Sequence, residues 1–381
     1  MNIVHVSVSS IPVLYQYGGA IQRRIFEVAR EQVRRGDCVT IYSVGPKTEL
    51  REVAGVKVQY ISCRAVLPWR HLEFQLRTKG FMRTRSDNVD VLFFHSQPEG
   101  AVLNRHRRAR TFLWYDFYRF RRSNFTPLCY LYRTCLSRFD LLLPVSEYCK
   151  SKSCDFWKMP SHKFEVVYNG VNLEQFRPDE KLRLETRRTL SISKRVLLYV
   201  GRVCRQKGID VLLHAARSLN SRRNDIQLTV AGPIAQFGSD VDPENWSKRI
   251  REVGGIYLGP VEEPKLSAVY NVADVFVMPT RELEMFGMAA VEAQACGKPV
   301  IASDHGGLKE SVPESCGGRF PVGDSDALVT QVERLLDDPG LYYRCSCNAL
   351  SNAKTFAWAN ICAKLEQLYP RVSTESAAEV M

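Results

Sequence analysis

Short apolar segments of strand character alternate with helical segments along nearly the whole chain, in two successive series. The first series consists of Ile3–Val8, Val39–Val44, Val56–Ile61, Val89–His95, Thr111–Trp114 and Leu141–Val145. The second consists of Arg195–Gly201, Ile226–Gly232, Ile256–Gly259, Val275–Met278 and Pro299–Ser303. Strands that alternate with crossover helices form parallel sheets. The pattern therefore predicts an α/β protein with two Rossmann-like domains that face each other across a cleft.

A polar stretch from Asn169 to Lys194 separates the two series and sets the predicted domain boundary. We assign residues 1–168 to an N-terminal domain and residues 169–355 to a C-terminal domain. Residues 356–371 are predicted to form a last packing helix that begins near Trp358. Residues 372–381 are expected to be disordered, as chain ends that are not tied down often are.

Composition places the chain among soluble globular proteins, with 45% hydrophobic and 25% charged residues. No apolar stretch approaches the ~20 residues needed to span a bilayer. The first residues alternate like a strand and lack the features of a signal peptide, which predicts a cytoplasmic location. The 12 cysteines are scattered without a Cys-x2-Cys pair, so reduced thiols are expected rather than zinc ligands.

The net charge of +12 is unevenly distributed. Between Arg64 and Arg122 there are 13 Lys or Arg against 5 Asp or Glu, and Phe117–Arg122 interleaves arginine with aromatic residues. Anionic lipid headgroups, an acidic or phosphorylated acceptor, and nucleic acid would each fit such a segment. An ordinary basic surface would also account for it, and charge alone does not choose among these.

Two carboxylates, Glu284 and Glu292, follow the predicted strand Val275–Met278. Met288–Ala295 is predicted to be a helix, and with Glu284 at its start Glu292 would lie about two turns along the same face. Such a pair usually marks a solvated face, but ligands of open α/β sheets bind at the carboxyl edge. Free N–H groups between the two could also bind an anion. We infer an elongated ligand, a sugar nucleotide, that both carboxylates contact.

Two glycine-containing loops join strands to helices. Gly18 and Gly19 lie between the first strand and the first helix, where backbone can approach a ligand closely. In the second domain, Arg202 and Lys207 flank the loop between Gly201 and the predicted helix that starts at Ile209. Two cations at a helix entrance suit a diphosphate and would stabilise charge on a leaving phosphate.

In this order and spacing the segments resemble a family-4 glycosyltransferase of the two-domain GT-B fold, nearly letter for letter in its Glu-x7-Glu motif. The resemblance covers nearly the whole chain and is strongest from Tyr168 to Glu310. The matching pieces are Gly18-Gly19, Asn169–Asn172 with Phe176, Gly201-Arg202, Lys207-Gly208, Ala273–Pro279, Glu284-x-Phe286-Gly287, Glu292-Ala293, Gly297–Ser303, Gly306-Gly307 with Glu310, and Phe356-x-Trp358.

The resemblance implies a role for each motif. Arg202 and Lys207 would hold the donor diphosphate, which Gly19 would approach from the N-terminal domain. Glu292 would bind the ribose hydroxyls and Glu284 the transferred sugar. The sugar and phosphate would also be held by amides of the next segment, around Phe286, Gly287 and Met288. It further implies retention of the anomeric configuration, no metal or other cofactor, and a closing helix that crosses back onto the first domain.

The chain departs from the family pattern at Tyr115-Asp116, where members often carry His-Asp and the His contacts the transferred sugar. Either Tyr115 replaces that contact, or Asp116 and His95 share it. A lone His at a strand end such as His95 is more often a hydrogen-bonded structural residue. Asn172, where Asp is usual, is a minor departure.

The leading prediction is transfer of a hexose or hexosamine from a nucleoside diphosphate, with UDP favoured, to a growing glycan. Similar members belong to lipopolysaccharide, exopolysaccharide and spore-coat pathways, and the basic N-terminal domain would dock on the inner membrane face beside a lipid-linked acceptor. The alternatives are a sugar-nucleotide epimerase of GT-B fold and transfer to a small soluble acceptor. Nucleic-acid binding ranks last because it leaves the glycine loops and paired glutamates unexplained. The sugar, linkage and oligomeric state do not follow from the sequence.

Overall fold

The computed structural model describes residues 1–14, 19–65, 69–84, 88–103, 109–116, 126–234, 245–282 and 284–369. Its strands are β1 (Asn2–Val6), β2 (Cys38–Val44), β3 (Glu49–Val53), β4 (Val56–Ile61), β5 (Val91–His95), β6 (Arg110–Tyr115), β7 (Leu141–Pro144), β8 (Arg195–Val200), β9 (Ile226–Ala231), β10 (Ile256–Gly259), β11 (Val275–Met278), β12 (Val300–Ser303) and β13 (Gly317–Phe320). Its helices are α1 (Ala20–Arg34), α2 (Trp69–Thr84), α3 (Gly100–Leu103), α4 (Thr126–Ser137), α5 (Glu147–Trp157), α6 (Glu180–Thr189), α7 (Ile209–Arg222), α8 (Trp246–Glu252), α9 (Glu263–Val272), α10 (Met288–Ala295), α11 (Leu308–Ser311), α12 (Ser325–Asp337), α13 (Pro339–Thr355) and α14 (Trp358–Gln367).

The strands form two sheets, one from each half of the chain. The first sheet has the order β3-β4-β2-β1-β5-β6-β7 and the second β10-β9-β8-β11-β12-β13. All strand pairs are parallel except β3 with β4. Parallel strands need crossover helices, which cover both faces and favour the nearly continuous apolar runs seen in the sequence. The predicted fold class, two parallel-sheet α/β domains, is confirmed.

Two strands have no counterpart among the predicted segments. β3 reads Glu-Leu-Arg-Glu-Val and is largely exposed, so it lacks an apolar run. β13 begins with Gly317 and Gly318, residues that disfavour strands, but a Cβ at Gly317 would lie 2.2 Å from the Val300 carbonyl oxygen. The close approach to β12 therefore explains a glycine at this edge.

The chain passes between the domains twice, and the two passages touch. Val171 donates its N–H to the Phe356 carbonyl at 2.8 Å, and Val171 forms a β-bridge with Ala357. Helix α14 then packs against α1, where Gln32 donates to the Tyr369 hydroxyl at 3.1 Å. Within the described residues, none of the helices is long and apolar enough to cross a membrane.

Candidate active site

Lys207 and Glu284 lie on adjacent loops at the carboxyl edge of the second sheet. The N–H groups of Arg281 and Glu282 both donate to the Gln206 carbonyl, which ties the two loops together. Gly208 has φ +76°, and a Cβ there would lie 1.7 Å from the Pro279 carbonyl oxygen, so only glycine fits. As a result the Lys207 ammonium lies 2.6 Å from a Glu284 carboxylate oxygen.

A second glycine loop, Gly306-Gly307 after β12, packs against the backbone of the Glu284 segment. The Gly307 N–H donates to the Glu284 carbonyl at 2.8 Å. A Cβ on Gly306 would lie 2.3 Å from the Glu284 carbonyl oxygen, and one on Gly307 would lie 1.9 Å from that of Met285. The two glycines following β12 therefore allow the backbone of the Glu284 segment to lie directly on them.

The expected helical relationship between Glu284 and Glu292 is wrong. α10 begins at Met288 after Gly287, which has φ +91°. Glu284 therefore lies in an irregular loop four residues before the helix, and Glu292 lies about one turn into it. Gly287 is needed because its left-handed backbone turns the loop into the helix. The first N–H groups of α10, starting with Met288, have no partners within the helix.

Glu292 is almost fully buried, with its side chain 4% exposed. One of its carboxylate oxygens lies 2.8 Å from the Arg23 guanidinium, and the other accepts a 2.6 Å hydrogen bond from the Tyr270 hydroxyl. Burial alone would lower the pKa of Arg23, but nearby Glu292, Tyr270 and Glu263 outweigh it and raise that pKa. Burial, and then Glu292, raise the pKa of Tyr270 well above its ordinary value. Arg23 lies on α1, so this ion pair joins the two domains.

Arg202 is exposed in the loop after β8, with its carbonyl accepting from the Tyr199 hydroxyl at 2.6 Å. In the first turn of α7, Asp210 pairs with Arg281 at 2.9 Å and with Arg205 at 3.6 Å. The entrance of α7 is therefore rich in arginine, partly compensated by Asp210.

On the N-terminal side, Gly19 is the N-cap of α1. A Cβ on Gly19 would lie 2.9 Å from the Gln22 side-chain oxygen, so a larger residue would displace Gln22. Gly18 lies outside the described residues.

Asp116 belongs to a buried cluster at the end of β6. The side chain of Arg24 is fully buried. Its guanidinium lies 2.6 Å from Asp116 Oδ1 and 3.2 Å from Asn169 Oδ1. It also lies 5.0 Å from the ring centroid of Trp114. The second Asp116 oxygen is buried and has no hydrogen-bond partner among the described residues.

His95 is fully buried in a chain of hydrogen bonds. His5 Nε2 lies 2.8 Å from the Gln32 side-chain oxygen, and His5 Nδ1 lies 3.0 Å from His95 Nε2. Burial lowers the pKa of His5 to about 4 and that of His95 well below its ordinary value, so both rings are neutral. Since Gln32 Oε1 only accepts, His5 Nε2 and His95 Nε2 carry the protons. His95 therefore has the surroundings of a hydrogen-bonded structural residue.

Tyr115 is also buried, with its hydroxyl 2.8 Å from the Ser153 hydroxyl oxygen. Burial raises its pKa well above the ordinary value. The interpretation that Tyr115 replaces the usual sugar-contacting His is wrong for this structure, because the strand directs its side chain into the core.

A further contact between the domains involves Glu310. Its carboxylate accepts hydrogen bonds from the N–H groups of Glu147 and Tyr148 at 2.7 and 2.8 Å, and from the Tyr168 hydroxyl at 3.2 Å. Glu147 and Tyr148 are the first two residues of α5, where a carboxylate is favoured by the helix dipole. Glu310 of the second domain therefore caps a helix of the first.

The predicted basic segment from Arg64 to Arg122 falls partly outside the described residues. Within the described part, Arg110 pairs with Asp140 at 3.2 Å. α2 instead exposes an apolar stripe, with Trp69, Leu72 and Leu76 exposed by 66%, 42% and 50%. Trp69 and Leu72 of this stripe line a cavity of about 720 Å³, together with Gln97 and Leu131, near the carboxyl ends of β1 and β5.

Sequence reasoning missed Arg23 and Tyr270 as partners of Glu292. Arg23 lies on α1 beside Arg24, and nothing in its spacing distinguishes it from an exposed arginine. Tyr270 lies in the helix before β11, in the apolar pattern of an ordinary core residue. Whether Arg23 contacts Glu292 depends on how the domains are placed. The one sequence feature that could have indicated Arg23 is the position of α1 directly after the first glycine loop.

Two parallel-sheet α/β domains in this order have the architecture of the GT-B fold. More specifically, the chain belongs to the family-4 glycosyltransferases. Residues 17–175 match the family described as Glycosyltransferase Family 4, and residues 183–351 match the one described as Glycosyl transferases group 1.

Known proteins show the same likeness. A D-inositol 3-phosphate glycosyltransferase from Catenulispora acidiphila is 35% identical over 220 residues, 54% of this chain and 51% of that one. The chain spans about half the length of the curated relatives it matches. Sucrose-phosphate synthase from Thermosynechococcus elongatus has a similar structure, with TM-score 0.79, 19% identity, and 97% and 98% of the two chains covered. HepE from Anabaena, crystallised with UDP-glucose, gives TM-score 0.76 at 18% identity over 97% and 99%.

Proposed function

We propose that this chain transfers a hexose or hexosamine from a nucleoside diphosphate sugar to an acceptor, with UDP as the expected nucleotide and retention of the anomeric configuration. The observation that carries the proposal is the paired arrangement of Lys207 with Glu284 and of Arg23 with Glu292, at the carboxyl edge of the second sheet. Ligands of open α/β sheets bind at this edge. HepE, which shares the fold, binds UDP-glucose.

The charges suit the parts of such a donor. Arg202 and Lys207 would hold the diphosphate and stabilise the negative charge that develops as the sugar–phosphate bond breaks. Glu284, which Lys207 orients, would accept hydrogen bonds from the sugar hydroxyls. Glu292 would accept them from the ribose. No metal or other cofactor is expected.

The acceptor would enter from the first domain. Our leading acceptor is a glycan of cell-surface polysaccharide or lipopolysaccharide synthesis, carried on a lipid at the inner membrane face. The exposed stripe Trp69, Leu72 and Leu76 supports this, because an apolar helix face flanked by arginine binds anionic membrane surfaces. The neighbouring cavity would then receive the acceptor beside the membrane, at a cytoplasmic location.

A second candidate is transfer to a small soluble acceptor. It is favoured by the relatives named D-inositol 3-phosphate glycosyltransferase, whose named acceptor is a small phosphorylated polyol. The cavity of about 720 Å³ would accommodate such a molecule, since small-molecule sites commonly have this volume.

The testing experiment has two stages. A panel of UDP-, GDP- and ADP-sugars is first scored for protection against thermal unfolding, because a ligand that binds the native state raises its stability. The sugar nucleotide that protects is then incubated with lipid-linked glycan or with inositol phosphate, and nucleoside diphosphate release is measured. Release that requires an acceptor supports transfer. Conversion of the sugar without acceptor would instead indicate an epimerase, and no protection by any member would contradict the donor site.

A further inference from the structure

A second cavity lies at the opposite edge of the second sheet from the cleft. Its volume is about 540 Å³, and it is formed where β8, β11 and β12 begin. Lys207 and Glu284 follow the carboxyl ends of the strands, whereas Arg195, Asp274 and Lys298 precede or begin them. A strand of four residues spans roughly 13 Å, so the cavity is separate from the cleft.

Lys298 is the buried cation of this cavity, with only 8% of the residue exposed. It lies in the turn between α10 and β12, where its N–H donates to the Ala293 carbonyl at 3.0 Å. Gly297 before it has φ +72° and fixes the turn. Across the described ranges, no hydrogen bond or ion pair reaches the Lys298 ammonium. A buried charge is costly unless it is paired or solvated, so an ammonium that faces a cavity without a protein partner is suited to bind an anion there.

The nearest acidic groups are already engaged. Asp274 uses one carboxylate oxygen for Arg183 at 2.8 Å, and the other for the Val196 N–H at 2.7 Å and Arg187 at 3.3 Å. The other carboxylate of the cavity, Glu180, has a side chain 72% exposed to solvent. With Arg183, Arg195 and Lys298 lining the cavity, cations outnumber carboxylates.

The remaining wall is largely apolar. Pro178, Leu336, Pro339, Tyr342 and Leu350 line it. The Tyr342 hydroxyl already donates to the Asp274 carbonyl at 3.0 Å. The cavity therefore offers one unpaired cation at its floor and apolar surface around it.

We propose that this cavity binds a small organic anion, with a phosphate or carboxylate group on Lys298 and a ring or apolar body against Pro178 and Leu350. The lowered pKa of Lys298, about 8, agrees with a charge that lacks its partner, since burial is its first cause and Arg183 its second. The volume falls in the range of small-molecule sites. The assignment does not depend on the donor or acceptor of the transfer reaction.

The experiment uses phenyl phosphate as the probe and inorganic phosphate as the comparison, with binding measured by calorimetry. The Lys207→Met variant serves as background, so that binding in the cleft does not contribute. In this background we expect phenyl phosphate to bind more tightly than inorganic phosphate. Adding Lys298→Met should weaken phenyl phosphate about tenfold or more, because a charge-assisted hydrogen bond is lost.

A second variant tests the site without touching the lysine. Leu350→Trp fills the cavity from its wall and should also abolish phenyl phosphate binding, while exposed Lys181→Met should leave it unchanged. UDP binding to otherwise unchanged chains that carry Lys298→Met or Leu350→Trp should remain normal, which separates this site from the cleft. Phenyl phosphate affinity that stays at the background value in Lys298→Met or in Leu350→Trp, or no binding in the background itself, would overturn the proposal.

Discussion

Arg23 of the first domain and Glu292 of the second form an ion pair of 2.8 Å across the cleft. Glu292 is also the residue expected to bind the donor ribose, and its other oxygen is held by Tyr270 at 2.6 Å. A ribose would therefore compete with Arg23 for the carboxylate. Donor binding and the contact between the domains would then be coupled through this one residue.

This coupling predicts the behaviour of Arg23→Met. The variant leaves Glu292 buried beside Tyr270 without its cation, and breaking such a pair costs about 3 kcal/mol. We expect weaker domain contact, measured as faster proteolysis between the domains, and a changed KM for the donor. Glu292→Gln in the same chain should restore part of the protease resistance, because the uncompensated charge is gone. Additive effects of the two substitutions would contradict the coupling.

The cleft assignment predicts that Glu292→Ala and Lys207→Ala each reduce donor turnover at least about a hundredfold, since each removes a charged hydrogen bond. Turnover is measured as acceptor-dependent release of nucleoside diphosphate, and circular dichroism checks the fold. Lys265→Ala is the matched control, because that side chain is 73% exposed. Normal turnover in both cleft variants would refute the assignment.

Glu310 predicts a different kind of defect. Glu310→Ala removes the carboxylate that caps α5 from the other domain, which should cost about 1–2 kcal/mol of interdomain stability. Hydrogen exchange at the amides of Glu147 and Tyr148 should rise. Glu310→Gln keeps a neutral acceptor, so exchange in this variant should be intermediate between that in the unchanged chain and that in Glu310→Ala. Unchanged exchange of these two amides in Glu310→Ala would contradict the capping role of Glu310.

Lys298 predicts a stability change that depends on pH. Burial, and after it Arg183, lowers the pKa of Lys298 from 10.5 to about 8, although Cys296, Asp274 and Glu180 oppose the change. Below about pH 8 the lysine is protonated in both the folded and the unfolded state, so the burial of its charge lowers the free energy of unfolding in full. This loss disappears as the pH rises toward 10.5. Lys298→Met should be more stable than the unchanged chain by up to about 3 kcal/mol near pH 7. The difference in denaturant midpoint should shrink by pH 10, and a constant difference would refute this.

Membrane docking predicts that Trp69→Ser and Leu72→Ser weaken binding to vesicles of anionic lipid. Each removes apolar area worth about 1.5 kcal/mol, or roughly tenfold in partitioning. Sedimentation with vesicles measures the loss. Tyr343→Ser is the matched control, since Tyr343 is 70% exposed on the other domain. If the protein bound duplex DNA with the same affinity as the vesicles, a general basic surface would be favoured over a membrane site.

The sequence predicted the elements whose patterns are local. Both sheets, the Met288–Ala295 helix and the glycine loops follow from apolar periodicity and from turns that require glycine. β3 was missed because an exposed edge strand buries little. The path from Glu284 to Glu292 was misjudged because Gly287 has a left-handed conformation that turns the chain before the helix, in a space where a Cβ would lie 2.6 Å from Leu308 and 3.3 Å from Met278.

The resemblance implied that the last helix returns to the first domain, but the individual side-chain contacts between the domains could not be predicted. Arg23 and Glu292 are far apart in sequence, and their meeting depends on how two separately folded sheets are placed. The same holds for Glu310, whose partners are backbone N–H groups and leave no mark on the residue pattern. For Tyr115 the prediction failed for another reason. Its position in the motif indicated a side chain in the cleft, but the alternation of side chains along β6 directs it into the core.

The return of α14 to the first domain has a consequence for how the protein is made. Gln32 of α1 finds its partner Tyr369 only after the whole second domain has left the ribosome. The Arg35 guanidinium likewise donates to the Ala359 carbonyl at 2.7 Å and pairs with Glu366, and both contacts can form only after these residues have been synthesised. Until then the nascent first domain exposes the face of α1 that α14 will cover. A chain interrupted anywhere in the second domain would thus leave two defective domains, and both would be open to chaperones and proteases.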